Sequence, residues 1–169
     1  MPQTGVGRMA GNVVIADSNT GLTDDYMYVG AFGNPAGYGQ TFEATGGTLH
    51  SVKILMSSSP QTRGKFTARV YPMTGEYGKS GVPSGAPIAS SAPVDASTIP
   101  SVDTMFEFVF QGAVPLTAGK QYVVTAECDD APDHNQARCG FNRSGNCVMR
   151  AGGWIPDAHQ LIYELYVTA

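Results

Sequence analysis

The densest cluster of side chains able to do chemistry is Cys128-Asp129-Asp130-Ala131-Pro132-Asp133-His134. Asp129, Asp130 and Asp133 place three carboxylates within five residues of a proline-bearing loop. Hard oxygen ligands in flexible geometry suit Ca²⁺, so a structural calcium ion is one reading. The other is a solvated turn in which the aspartates bond their own backbone. No other cofactor is expected. Cys128, His134, Cys139 and Cys147 read as C-x5-H-x4-C-x7-C. Zinc favours a close cysteine pair that sets two thiolates on one tight turn, and this spacing has none. The segment ARCGFNRSGNCVMR reads instead as a hairpin turning over residues 142–146, which would bring Cys139 opposite Cys147 for a disulfide. Buried reduced thiols, that intrachain bridge and an intersubunit bridge all stay open, because the redox compartment selects among them.

Other candidates reduce to structure. Gly75-Glu76-Tyr77-Gly78-Lys79-Ser80 has two spacers too few for a phosphate-cradling loop and no strand–helix context. It reads as a hairpin tip exposing Tyr77 and Lys79. Neither G-x-S-x-G nor H-E-x-x-H occurs, and His50, His134 and His159 are far apart in the chain. No catalytic residue is expected, and the chain is expected not to be an enzyme. Asn142-Arg143-Ser144 is a glycosylation sequon without a secretory leader. The single tryptophan, Trp154, lies between glycines and a proline in a segment that reads as a loop. There its indole could stack on a sugar, anchor a subunit contact or cap one end of the core. Tyr77 and Tyr38, then Tyr26 and Tyr28, are further contact candidates. Tyr38 and Phe32 belong to a glycine-rich loop over residues 30–39 and are expected to tuck back against a sheet.

These side chains need a scaffold, and composition limits which. A chain of 169 residues that is 42% hydrophobic can build one domain with a real core. Only 14% of residues are charged, against roughly a quarter in an average soluble protein. Such a surface suits packing against other subunits or sugars. A net charge of −4 with scattered Lys and Arg argues against a nucleic-acid partner. No run of about 18 apolar residues is present to form a membrane-spanning helix. The N-terminus lacks a basic start followed by an apolar core, so synthesis and folding in a cytoplasm are expected.

The apolar runs alternate with period two and end at Gly, Pro, Ser or Asp, which predicts short antiparallel strands. Residues 1–10 read as an N-terminal arm, and 11–169 as a single domain. GNVVIAD and Tyr26-Met27-Tyr28-Val29 are the first strands. Val52, Ile54 and Met56 should face the core, as should Phe66, Ala68 and Val70, with Thr67, Arg69 and Tyr71 outside. Phe106, Phe108 and Phe110 share a face. Tyr122, Val124 and Ala126 oppose Val123, Thr125 and Glu127. The last strand, over residues 161–167, is apolar on both faces and is expected to be central or partnered by another chain. A helical turn is expected at most near residues 95–98. The fold class is all-β: an antiparallel β-sandwich of jelly-roll type with about eight to ten strands.

The order of strand, Gly-Gly turn, strand, proline-rich loop and phenylalanine-alternating strand leads into LTAGKQYVV, beginning at Leu116 and reaching Tyr122. Over about residues 39–127 and the closing strand, this resembles the jelly-roll, carbohydrate-binding-module-like domains of bacteriophage virion proteins and bacterial secreted proteins. The resemblance implies a non-enzymatic virion component, such as a capsid decoration protein or a minor head, tail or fibre subunit. It would be made in the host cytoplasm and located in the virion. Its partners would be other virion proteins and copies of itself, a trimer among the options. The alternative it implies is a carbohydrate-binding module or adhesin that recognises cell-surface glycan.

Overall fold

In the computed structural model of the chain, residues 11–30, 36–130 and 137–169 are described. The expected N-terminal arm, Phe32, Asp133 and His134 lie outside the described residues. The strands are β1 (Val13–Asn19), β2 (Asp25–Tyr28), β3 (Gly37–Glu43), β4 (Thr48–Ser57), β5 (Lys65–Thr74), β6 (Val82–Pro83), β7 (Ala89–Ser90), β8 (Val94–Asp95), β9 (Thr104–Val109), β10 (Gln121–Cys128), β11 (Arg138–Asn142), β12 (Cys147–Arg150), β13 (Trp154–Asp157), β14 (Gln160–Leu161) and β15 (Tyr163–Thr168). The fold is all-β, as the alternation predicts. The count exceeds the expected one because pieces of two residues, such as β6 and β14, register as strands. The helical turn is a single 3₁₀ turn, Ala96–Thr98, whose Ser97 amide is capped by the Asp95 carboxylate.

Two antiparallel sheets pack face to face as a sandwich compatible with a jelly roll. The first runs β1-β15-β4-β11-β14, with β2 also on β11 and β9 also on β4. The second runs β13-β12-β3-β10-β5-β6, with β7 and β8 also on β5. Between them Val52, Ile54, Met56 and Phe108 meet Phe66, Ala68, Val70, Tyr122, Val124 and Ala126, all buried. Side-chain alternation on each strand accounts for that layer. β15 is central, bonded to β1 on one side and β4 on the other.

The second sheet departs from the sequence reading on its other face. The alternation puts Thr67 and Tyr71 outside, yet both are buried, as are Val123, Thr125, Glu127 and Val148 on the same side of the sheet. Tyr71, Val123 and Val148 lie apart from the main core cluster. The cause is curvature: β13, at one end of the strand order, comes into contact with β6 at the other. The face away from the sandwich is therefore concave and closes on itself.

Glycines make that curl possible. Residues 37–39 belong to β3 rather than to a loop, and their glycines serve close approach. A Cβ on Gly39 would lie 2.6 Å from the Val124 carbonyl oxygen and 2.8 Å from Thr125 Cγ2. One on Gly37 would lie 2.9 Å from both the Ala126 carbonyl oxygen and Glu127 Cγ. A strand with side chains at both positions could not bend so far toward its neighbour.

Candidate functional site

The concave face is organised around Glu127, a carboxylate only 1% exposed. Register puts Glu127 of β10 beside Thr67 of β5 and Gly37 of β3. Its Oε2 meets Arg69 Nη1 at 3.0 Å and Arg150 Nη1 at 2.9 Å. Its Oε1 accepts from the Tyr71 hydroxyl at 2.7 Å and the Thr125 hydroxyl at 2.8 Å. A buried carboxylate requires this degree of pairing, because desolvation would otherwise favour its neutral form. Burial, then the Glu127 carboxylate, raises the Tyr71 phenol well above its ordinary range. Arg69 also bonds Asp129 at 2.6 Å, which accepts from Thr67 Oγ1 at 2.5 Å.

Trp154 lies at the edge of this network. It opens β13 rather than a loop, is half-buried, and meets Tyr71 edge to face at 6.0 Å between ring centroids. That placement is a cap on the concave face. Tyr38 is 3% exposed and packs edge to face on Phe141 at 5.1 Å. It tucks back as expected and is a core residue, not a surface contact. Tyr77 is 41% exposed at the tip of the β5–β6 hairpin. The amides of Lys79, Ser80 and Gly81 all donate to the Glu76 carbonyl, so the tip offers no nest for phosphate. Tyr26 donates to Asp103 at 2.6 Å, with Arg138 stacked 4.1 Å from its ring centroid.

The acidic loop divides. Asp129 is engaged by Arg69 and Thr67, and Asp130 Oδ1 accepts from the Lys65 amide at 2.7 Å. Asp133, the third calcium candidate, lies outside the described residues. Among the described residues no group of three His, Cys, Asp or Glu is arranged to hold a metal ion.

The expected hairpin between Cys139 and Cys147 does not form. Cys139 is on β11 in the first sheet and Cys147 on β12 in the second, so residues 143–146 cross between sheets. Both thiols are buried and free. Burial pushes the Cys139 thiol up to about 12. The Cys147 thiol is also raised, by burial and then by Asp157, to which it donates at 3.5 Å. Cys128 is buried as well.

The remaining motifs are occupied. Ser51 is fully buried and donates to Glu107 at 2.6 Å, with His50 Nδ1 3.0 Å from the same hydroxyl. The serine proton therefore points at the carboxylate and not at the imidazole. His159 Nδ1 lies 2.6 Å from Asp157. The sequon Asn142 is held on both sides, accepting from Asn19 Nδ2 at 2.6 Å and donating to the Leu22 carbonyl.

A second surface is apolar and carries no reactive side chain. Among the described residues β1 is an edge strand, paired with β15 alone. Its Val13, Val14 and Ile15 are 48%, 42% and 54% exposed. Ile15 is paired with Tyr166, whose ring lies 4.9 Å from the Lys53 ammonium. Val109, more than half exposed, extends the same outer face beyond Lys53 and Glu107. The signal lay in GNVVIAD, which is uninterrupted by a charge where an exposed edge strand usually carries one.

A scan against protein-family models finds no match, and a search of curated proteins finds none either.

Proposed function

We propose that the protein is a non-enzymatic structural component acting through contacts between subunits, of the kind that decorates a bacteriophage capsid or forms a minor head, tail or fibre element. One observation carries the assembly part of this reading: the edge strand β1 presents Val13, Val14 and Ile15 as exposed side chains beside a row of backbone groups that no described strand pairs. Edge strands of monomers are usually shortened, charged or covered. Here the only interruption is a bulge between Ile15 and Asp17, beyond the apolar run. Covering that run removes apolar surface from water at about 25 cal/mol per Å² and pairs its free backbone groups. The flanking Tyr166, Lys53 and Val109 supply the aromatic and mixed character common at subunit interfaces. The virion setting rests on the resemblance of residues 39–127 to virion domains.

Light scattering on the eluting full-length chain tests the reading. The wild type should elute as an oligomer, and Ile15→Lys should shift it to a monomer with an unchanged unfolding midpoint. A wild type that stays monomeric at high concentration and does not bind assembled particles overturns it.

A further inference from the structure

The open edge of β1 has a definite hydrogen-bonding phase. The Ala169 amide donates to the Asn12 carbonyl at 3.0 Å, so the Asn12 carbonyl points toward β15. Backbone groups alternate sides along an antiparallel strand, so Val14, paired with Val167, also bonds toward β15. Val13 and Ile15 therefore turn their amides and carbonyls to the open side, where no described strand pairs with them. The bulge between Ile15 and Asp17 ends this regular stretch. Side chains are sorted along it as well. Val14 stands beside the buried Val167 on the sandwich side of the sheet, whereas Val13 and Ile15 stand on the outer side beside Thr168 and Tyr166.

A strand that fills this edge must match both patterns. A second copy of β1 does so when it runs antiparallel about a two-fold axis through Val14. Val13 then faces Ile15 of the second copy, Ile15 faces its Val13, and each pair exchanges two hydrogen bonds. Val14 faces its own counterpart in the close, non-hydrogen-bonded position. Every apolar side chain of the run meets another, and cross-strand pairs of this kind are favourable. Other two-fold registers lose the match. Centring on Val13 sets Val14 against Asn12 and Ile15 against Gly11. Centring on Ile15 sets Val13 against Asp17 and Val14 against the bulged Ala16. A slip of one residue turns the free groups of Val13 and Ile15 onto residues that bond back to β15. The axis at Val14 also keeps the two Asp17 carboxylates about 20 Å apart along the strand, so no like charges oppose each other. A closed two-fold contact uses the same patch on both subunits and requires this self-complementarity.

We propose that β1 pairs with β1 of a second copy of this chain, antiparallel about a two-fold axis at Val14, joining the first sheets of two subunits into one continuous sheet. The proposal rests on the assembly reading and names its partner, register and symmetry. On the outer face the aliphatic side chains of both copies then form one stripe, flanked at either end by a Tyr166 ring.

The test is oxidative cross-linking of full-length variants that each carry one added cysteine, since the three native cysteines are buried. A non-hydrogen-bonded antiparallel pair has Cα atoms about 4.5 Å apart, within the span of a disulfide. Val14→Cys should therefore form a covalent dimer with itself under mild oxidation. Val13→Cys should not, because its two copies are out of step by two residues and lie beyond about 7 Å. A mixture of Val13→Cys and Ile15→Cys should link, because those positions face each other. At micromolar protein, Val14→Cys should link on the order of a hundredfold faster than Val13→Cys alone, since a held pair has an effective concentration in the millimolar range. All three positions are exposed, so each reduced variant should keep the wild-type unfolding midpoint. Light scattering on the wild type separates this proposal from the reading beneath it. An oligomer in which Val14→Cys links no faster than Val13→Cys overturns the two-fold pairing and leaves subunit assembly standing. A wild type that stays monomeric and does not bind assembled particles overturns both. A chain that is monomeric alone but binds particles, with Val14→Cys linking to another protein, puts a different partner on the edge and overturns the self-pairing.

Discussion

Arg150 reaches Glu127 at 2.9 Å across an intervening strand, and it can do so because the residue between them is Gly37. Arg150 is on β12, Glu127 on β10, and β3 runs between. A Cβ on Gly37 would press on Glu127 Cγ and on the Ala126 carbonyl oxygen, both at 2.9 Å. One glycine thus lets a half-exposed arginine neutralise a carboxylate on the next strand but one, and the ion pair holds the curl of the sheet.

Removing the carboxylate should cost far more than removing that arginine. Glu127→Ala leaves Arg69 and the Tyr71 hydroxyl without their shared partner in a buried setting, for an expected loss of about 3 kcal/mol. Arg150→Ala removes a cation that is already half in water, with Arg69 still in place, for about 1 kcal/mol. Urea unfolding of both variants checks this. Equal losses would mean that Glu127 is not the centre of the network.

Gly39→Ala should destabilise although alanine is ordinarily neutral or favourable in place of glycine. The added methyl meets a backbone carbonyl and Thr125, neither of which is a flexible tip, and overpacking of this kind costs about 1–3 kcal/mol. Gly153→Ala is the control, since nothing lies within 4 Å of its Cβ position. A Gly39→Ala protein as stable as the control contradicts the concave packing.

Alkylation without a reducing step reports on the cysteines. Native protein near neutral pH should be nearly inert, because burial holds the Cys139 and Cys147 thiols protonated and inaccessible. In denaturant without reductant both should label fully. A Cys139–Cys147 pair that labels only after reduction would show that the two sheets approach more closely at this crossover than the fold described here.

Stability should fall on the alkaline side. Burial first raises the phenols of Tyr38, Tyr71 and Tyr163 above the ordinary 10.0, with nearby carboxylates adding to it for Tyr71 and Tyr163. Between the unfolded and folded values, the unfolded chain has lost these protons and the folded chain has kept them. The stability is therefore fully present below pH about 10 and drains away as pH rises above it. The unfolding midpoint should drop there, and phenolate absorbance from these three rings should appear together with unfolding. Ionisation of all three while the fold stays intact would refute their burial.

Local pattern was enough for much of this molecule. Period-two alternation at Val52-Ile54-Met56 and Phe66-Ala68-Val70 identified strands and their core faces, because neighbouring side chains on a strand must point oppositely. The apolar character of both faces put β15 between two neighbours. Alternation could not say that Thr125 and Glu127 are also buried, since that depends on a sheet curling until β13 meets β6. Nor could it separate Cys139 from Cys147, whose strands enter different sheets through a crossover that reads locally like a turn. Tyr38 looked like a loop residue because glycines 37 and 39 resemble a turn, whereas they are there to let strands approach. The sequence by itself determined which residues form strands and which faces turn to the sandwich core, because those follow from neighbouring side chains. Curvature, crossover and register arise from contacts between distant segments, so only the tertiary structure decided where the buried charge and the open edge lie.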